Sequence, residues 1–407
     1  MPRSWCAVLL LLLITVALLP SIVLANPDEL LNRSAILINE GKPSEALGLL
    51  HEAERRLPDP QLAAGLLGEA YLRLGMQQIA HGDDAAGREA FASAQRYLPD
   101  DPRPLQGMAL AWMSAGQPAA ALGPLHEAQT LAGKDPQLAL LLGRAYYALG
   151  ELTQAEEAWV EAAQAGSAEA APLLEKVRRE RQAEHNMSRD LAGRFSIAYA
   201  AGVSDALAAT VLDVLQEAYG ELGRDLGYYP ETDIPVLLYA REDFQAVTRS
   251  PAWAGAVYDG KIRVPLGGME RMTPQLRALL FHEYTHVLVR FLGRGRVPIW
   301  LNEGLAELAG RRQFAPATSP HATRPLPPAA LERPFTELPN ELVPVAYAQS
   351  QARVERLAEL CGSPALGELL RQLGNGLNWE TAVAEAYAPC GYDWPRLQAE
   401  MAADPSP

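Results

Sequence analysis

Phe281-His282-Glu283-Tyr284-Thr285-His286 is followed, after a short break, by Trp300-Leu301-Asn302-Glu303-Gly304-Leu305-Ala306-Glu307. Residues four apart on an α-helix share a face, so His282 and His286 can turn both imidazoles towards one ion. Glu283 sits about 100° further round the helix, beside that ion rather than on it. Sixteen residues separate His286 from Glu303, which supplies a carboxylate. Two imidazoles, one carboxylate and an open position make up the ligand set of a catalytic zinc ion. Zinc lowers the pKa of water towards ~7, so a neighbouring carboxylate can take its proton. The expected site is therefore Zn2+ on His282, His286 and Glu303, with Glu283 as general base.

The flanking residues favour a helix at each stretch. Thr273 is a good N-cap and Pro274 a good first helical residue. Leu276, Leu279, Leu280, Val287 and Phe291 recur at helical spacing, and Gly293 is a natural stop. A second helix opens near Pro298 and places Glu303 and Glu307 on one face. Glu307 then either hydrogen-bonds an imidazole N–H and fixes its tautomer, or faces solvent. Gly304 weakens this helix. A close approach of the two helices around the ion would explain it, as would a plain tolerated glycine.

Together, His282-Glu283 with His286 and Asn302-Glu303-Gly304 with Ala306 resemble the gluzincin metallopeptidases, among them the thermolysin-like and aminopeptidase N-like enzymes. In those families the glutamate of the Asn-Glu pair is the third zinc ligand, which the resemblance carries to Glu303. Residues from about 195 to 400 more closely resemble the peptidase MA-like family of exported bacterial proteins. That family has a short α+β lead-in, the zinc helices, and then a helix that begins here as Tyr347-Ala348-Gln349-Ser350. The sixteen-residue separation is shorter than in aminopeptidase N-like enzymes, so their substrate-binding details are not carried over. Gluzincins also use a downstream tyrosine or histidine as a second donor to the oxyanion of the reaction. The resemblance implies Tyr347 in that role, with His321 as the alternative and a core aromatic as the non-catalytic reading. Gluzincins hold extended substrate against an edge strand, for which the hairpin at 255–266 is the candidate. Eight prolines between Phe314 and Val345 block helix and sheet there, giving a cleft wall, a lid or an ordered connector.

At 407 residues the chain has room for two or three domains. Residues 1–25 read as a secretory signal: Arg3, an apolar run from Ala7 to Leu19, and a small-residue site at Val23-Leu24-Ala25. The alternative is an uncleaved membrane anchor. From 28 to 185 the chain is a repeat array. Gly41, Gly82, Gly116 and Gly150 mark equivalent turns, and the last three are 34 apart, the period of a tetratricopeptide repeat. At matching offsets stand Ala46, Leu50 and Ala53; Gly87, Phe91 and Ala94; Ala121, Leu125 and Ala128; and Ala155, Trp159 and Ala162. These resemble the interlocking positions of that family, as do Gly68 and Gly143. The longer first spacing implies two extra helical turns around Met76 to His81. Stacked repeats present a concave surface that binds peptides or proteins, or act as a spacer or cap.

Residues 173 to 190 read as a charged helix leading out of the array, followed by a strand at Phe195–Tyr199, a helix at Ser204–Leu226, a strand at Ile234–Tyr239 and a short helix at Glu242–Thr248. Val257 and Ile262-Arg263-Val264 flank an Asp259-Gly260 turn, a hairpin signal. Export would let Cys361 and Cys390 pair, or they remain two buried thiols. A net charge of −14 argues against nucleic acid or an anionic membrane as the main partner.

The expected fold is an all-α tetratricopeptide superhelix at 28–185, then an α+β gluzincin-like (thermolysin-like) domain at 190–403. The expected function is an exported, periplasmic or extracellular, zinc metallopeptidase acting on a protein or peptide, with a possible protein partner on the repeat domain. The alternative is a tetratricopeptide adaptor with an inactive peptidase-like domain, for which an intact Glu283 would be needless.

Overall fold

The protein is seen in a computed structural model that describes residues 26–403 apart from 186, 249–255, 267 and 315–324. The signal-like segment 1–25, His321 and the first residue of the 255–266 hairpin lie outside the described residues. Among those described, the chain is mostly helical, with eighteen α-helices and one five-stranded sheet on the C-terminal side.

Nine helices come first: α1 (Pro27–Asn39), α2 (Pro43–Arg56), α3 (Gln61–Ala80), α4 (Asp84–Tyr97), α5 (Arg103–Ser114), α6 (Pro118–Ala132), α7 (Pro136–Ala148), α8 (Leu152–Gln164) and α9 (Ala170–Glu184). Each packs on the one before it. Proline opens α1, α2, α6 and α7, where its missing N–H has no helical acceptor to lose. Gly82, Gly116 and Gly150 turn the chain at φ of 85°, 72° and 76°, a conformation that costs other residues strain. The residues at the matching offsets face the interior: Ala46, Leu50, Ala53, Phe91, Ala94, Ala121, Leu125, Ala128, Ala155, Trp159 and Ala162 are all buried. Gly68 and Gly143 lie under Leu98 and Trp159, with no room for a Cβ. The extra turns near Met76 are present, α3 having 20 residues against 12 and 13 in α5 and α7.

The sheet runs in the order β1 (Ser188–Ala192), β2 (Phe195–Tyr199), β3 (Ile234–Tyr239), β5 (Ile262–Pro265), β4 (Val257–Tyr258). β2, β3 and β5 are parallel, and the two outer strands run antiparallel to their neighbours. Alternate residues face opposite sides. Ile197, Val236, Leu238, Ile262 and Val264 join the main core with α10 (Asp205–Leu226) and α12 (Pro274–Gly293). Ala198, Leu237 and Tyr239 pack with Phe244 and Val247 of α11 (Arg241–Thr248).

The charged helix expected over 173–190 is corrected. α9 stops at Glu184, and Ser188–Ala192 is a strand that pairs with β2 through a turn at Gly193. Nor is its acidic face solvated. Arg263 of β5, fully buried, pairs with Glu180 at 2.9 Å and Glu184 at 3.4 Å, and Lys261 pairs with Glu180 at 3.3 Å. Tyr147 and Tyr239 donate their hydroxyls to Glu180 and Glu184. Buried charges persist only when paired and hydrogen-bonded, so this cluster fixes the last array helix to the sheet.

After α13 (Ile299–Gln313) come a short α14 (Pro328–Leu331), a 3-10 turn at Phe335–Glu337, α15 (Val343–Cys361), α16 (Ser363–Gly374), α17 (Trp379–Tyr387) and α18 (Trp394–Ala403). The reading of two buried thiols does not hold: Cys361 and Cys390 are bonded, and neither is buried. Closing a loop of this size contributes roughly 3–4 kcal/mol.

Candidate metal centre

α12 and α13 bring the two quoted stretches together. The Thr273 hydroxyl accepts the N–H of Leu276, and Pro274 opens α12. The helix runs through Gly293, where a Cβ would strike Val297, and the left-handed cap falls on Arg294 at φ 50°. Arg294 is the one non-glycine residue with positive φ among those described. α13 packs against α12 through Gly310, where a Cβ would press on the Ala278 carbonyl. Gly304 answers a different contact from the one expected: a Cβ there would strike the Ser350 carbonyl of α15, not α12.

His282 Nε2 and His286 Nε2 are 3.2 Å apart, and Glu303 Oε2 lies 3.8 Å and 3.7 Å from them. The point equidistant from the three atoms is about 2.1 Å from each, the length of a zinc–nitrogen or zinc–oxygen bond. His282, Glu283 and His286 form a group that could hold a metal ion, their ligand atoms lying within 4.8 Å of one another. Oε2 of Glu283 and Oε2 of Glu303 are buried without a hydrogen-bond partner among the described residues. Leaving two carboxylate oxygens dry is costly unless a cation compensates. The donor set therefore fits a metal.

The surroundings set the charges. Burial, with His286 adding to it, holds the His282 pKa well below its ordinary value, so this imidazole is neutral. Burial works against protonating His286 too, but the Glu303 and Glu283 carboxylates and Asn302 outweigh it and raise its pKa. Burial pushes Glu283 up to about 7, against the pull of His286. Glu303 and Glu307 are also raised by burial.

Glu307 Oε1 lies 3.5 Å from His282 Nδ1, and its Oε2 is 3.9 Å from Arg311. On the other imidazole, Asn302 Oδ1 lies 2.9 Å from His286 Nδ1. The sequence reading placed Asn302 only within a motif and gave it no part. Its position one residue before Glu303, on a helix facing His286, was the available signal. Tyr347 sits in the second turn of α15 rather than at its start, because Pro344 occupies the first turn. Its ring is 6.4 Å from that of His282 and 5.1 Å from that of Phe335, and its hydroxyl lies against the Glu303 carboxylate. Burial, then Glu303, Glu307 and Glu283, raise the phenol's pKa, so it stays protonated.

All six expected site residues line one cleft of ≈ 860 Å³. Tyr258, Asp259 and Gly260 of the edge hairpin line it too, as do Phe314 and Thr336 of the proline-rich connection. No protein-family model matches this chain, and no curated protein does.

Proposed function

We propose that the chain is a zinc-dependent peptidase of the gluzincin kind, similar to the peptidase MA-like proteins, carrying an N-terminal tetratricopeptide superhelix. The carrying observation is the triangle of His282 Nε2, His286 Nε2 and Glu303 Oε2, with Oε2 of Glu283, which has no hydrogen-bond partner among the described residues, in the same open cleft. Zinc, when bound, would polarise a carbonyl oxygen and make water acidic.

The chain's own residues supply the rest. Glu283 takes the proton of the attacking water and returns it to the leaving amine; a carboxylate whose pKa burial has raised suits both steps. The protonated Tyr347 hydroxyl donates to the oxyanion as charge develops there. Asn302 accepts from the Nδ1–H of His286, and the Glu307 carboxylate faces Nδ1 of His282 at 3.5 Å, which leaves each Nε2 free as a ligand. β4 is an edge strand beside the cleft, against which an extended peptide can add by main-chain hydrogen bonds.

Two other parts of the proposal rest on sequence. Export to the periplasm or the outside follows from residues 1–25. Among the described residues no helix is long and apolar enough to cross a membrane. Docking of a protein substrate or partner on the array follows from its 34-residue period, which the interlocked small residues support.

Metal analysis tests the site. The purified chain should hold one zinc ion, and Glu303→Ala and His286→Ala should each lose it. A chain that takes up no zinc, or that holds it equally without Glu303, refutes the proposed ligand set.

A further inference from the structure

We infer that Arg290 forms a carboxylate-binding subsite in the cleft, so that the preferred substrates are peptides bearing a carboxylate two to three residues from the bond cut. The inference rests on the peptidase reading above and adds a substrate class to it.

Arg290 follows His286 by four residues on α12 and so shares its face, about 6 Å further along the axis. It is exposed, and it lines the same cleft as the metal-binding group. Its Nη1 lies over Gly295, 3.8 Å from where a Cβ would stand. The guanidinium has no ion pair or hydrogen bond among the described residues. Asp259, which also lines the cleft, is already engaged: it pairs with Lys176 at 2.7 Å and with Arg263 at 3.0 Å. Arg311, the other arginine lining the cleft, has Glu307 at 3.9 Å.

The two ends of the cleft therefore differ. Gln275, Ala278, Leu279 and Phe314 line it towards the start of α12. Towards the other end stand Val289, Arg290 and Val297, and Tyr258 of the edge strand lines the cleft too. Burial pushes the Tyr258 phenol up to about 12, with the Arg290 charge opposing, so its hydroxyl keeps its proton and can donate within the same cleft. An arginine fork matches a carboxylate in charge and geometry. At about 3.3 Å per residue of extended chain, a group held there lies two to three residues from the carbonyl at the metal ligands. The carboxylate is either an acidic side chain or the chain terminus, since the chemistry is shared.

The test is fluorescence anisotropy with the zinc-loaded Glu283→Gln protein and three labelled hexapeptides of alanine and leucine. One carries a single glutamate and an amidated terminus, one carries glutamine and an amidated terminus, and one carries glutamine and a free terminus. At least one carboxylate-bearing peptide should bind about tenfold or more tighter than the neutral one, and the arm that does so identifies the source. Adding Arg290→Glu should remove that preference and reverse it, so that the neutral peptide binds tighter than the carboxylate-bearing ones. Arg290→Gln should remove it without reversal. Equal binding of all three peptides, or a preference that survives both substitutions, overturns the subsite. Hydrolysis by the unmutated protein is read in parallel. Cleavage of peptides without acidic preference sinks the subsite alone, whereas cleavage of none sinks the peptidase reading and the subsite with it.

Discussion

Asn302 Oδ1 stands 2.9 Å from Nδ1 of His286, on the opposite side of the ring from the nitrogen that faces His282 and Glu303. The amide oxygen can only accept, so Nδ1 carries the proton and Nε2 offers its lone pair. Asn302 precedes the proposed ligand Glu303 in the chain, so one turn of α13 both contributes a ligand and orients another.

Asn302→Ala should therefore weaken metal binding about 10- to 100-fold while leaving all three ligands in place. Competition with a chelator measures this. Glu307→Gln should act in the same direction through His282, and less strongly, because its contact is longer at 3.5 Å.

Gly304→Ala would ordinarily strengthen a helix by up to about 1 kcal/mol. Here the new methyl would meet the Ser350 backbone carbonyl. Overpacking against backbone costs about 1–3 kcal/mol, so the melting temperature should fall. Activity should fall with it, since α15 also carries Tyr347.

Acid should loosen the join between α9 and the sheet. Burial would raise the Asp259 pKa, but the Arg263 and Lys176 charges outweigh it and hold it below the ordinary carboxylate range. A depressed carboxylate contributes its stability in full above the unfolded value near 4, and loses it as pH falls through the lower folded value. Melting temperatures below about pH 4 should therefore fall less steeply for Asp259→Asn than for the unmutated protein.

The N-terminal helices should be needed for α12 to keep its end. Arg294, at φ 50°, pairs with the buried Asp84 at 3.0 Å, and Arg296 donates to the Ala80 carbonyl. Asp84→Ala should cost about 1–3 kcal/mol by leaving the guanidinium half-buried and unpaired. Arg294→Gly leaves the buried Asp84 unpaired in turn, at a similar cost that relief of the left-handed backbone offsets in part. Denaturant midpoints of the two variants give the comparison.

Much of this was legible in the sequence because it is local. Helix spacing alone put His282, Glu283 and His286 together, and glycines 34 apart marked turns that do take positive φ. What escaped was long-range. Glu180 and Glu184 look like solvated acids until Arg263 and Lys261, some 80 residues later, are folded against them. Ser188–Ala192 has little strand character of its own, and pairing with β2 supplies it. Gly304 was seen to be unusual, but its partner Ser350 is distant in sequence and lies on a third helix. Arg290 reads as an ordinary basic residue near a helix end until the cleft around it is seen.

The most direct test of the central claim compares the zinc-loaded protein with its Glu283→Gln variant on a quenched-fluorescent peptide library. The account predicts cleavage by the first and a loss of about 100-fold or more in the second, with both proteins holding one zinc ion per chain. Equal cleavage by the two proteins would contradict it.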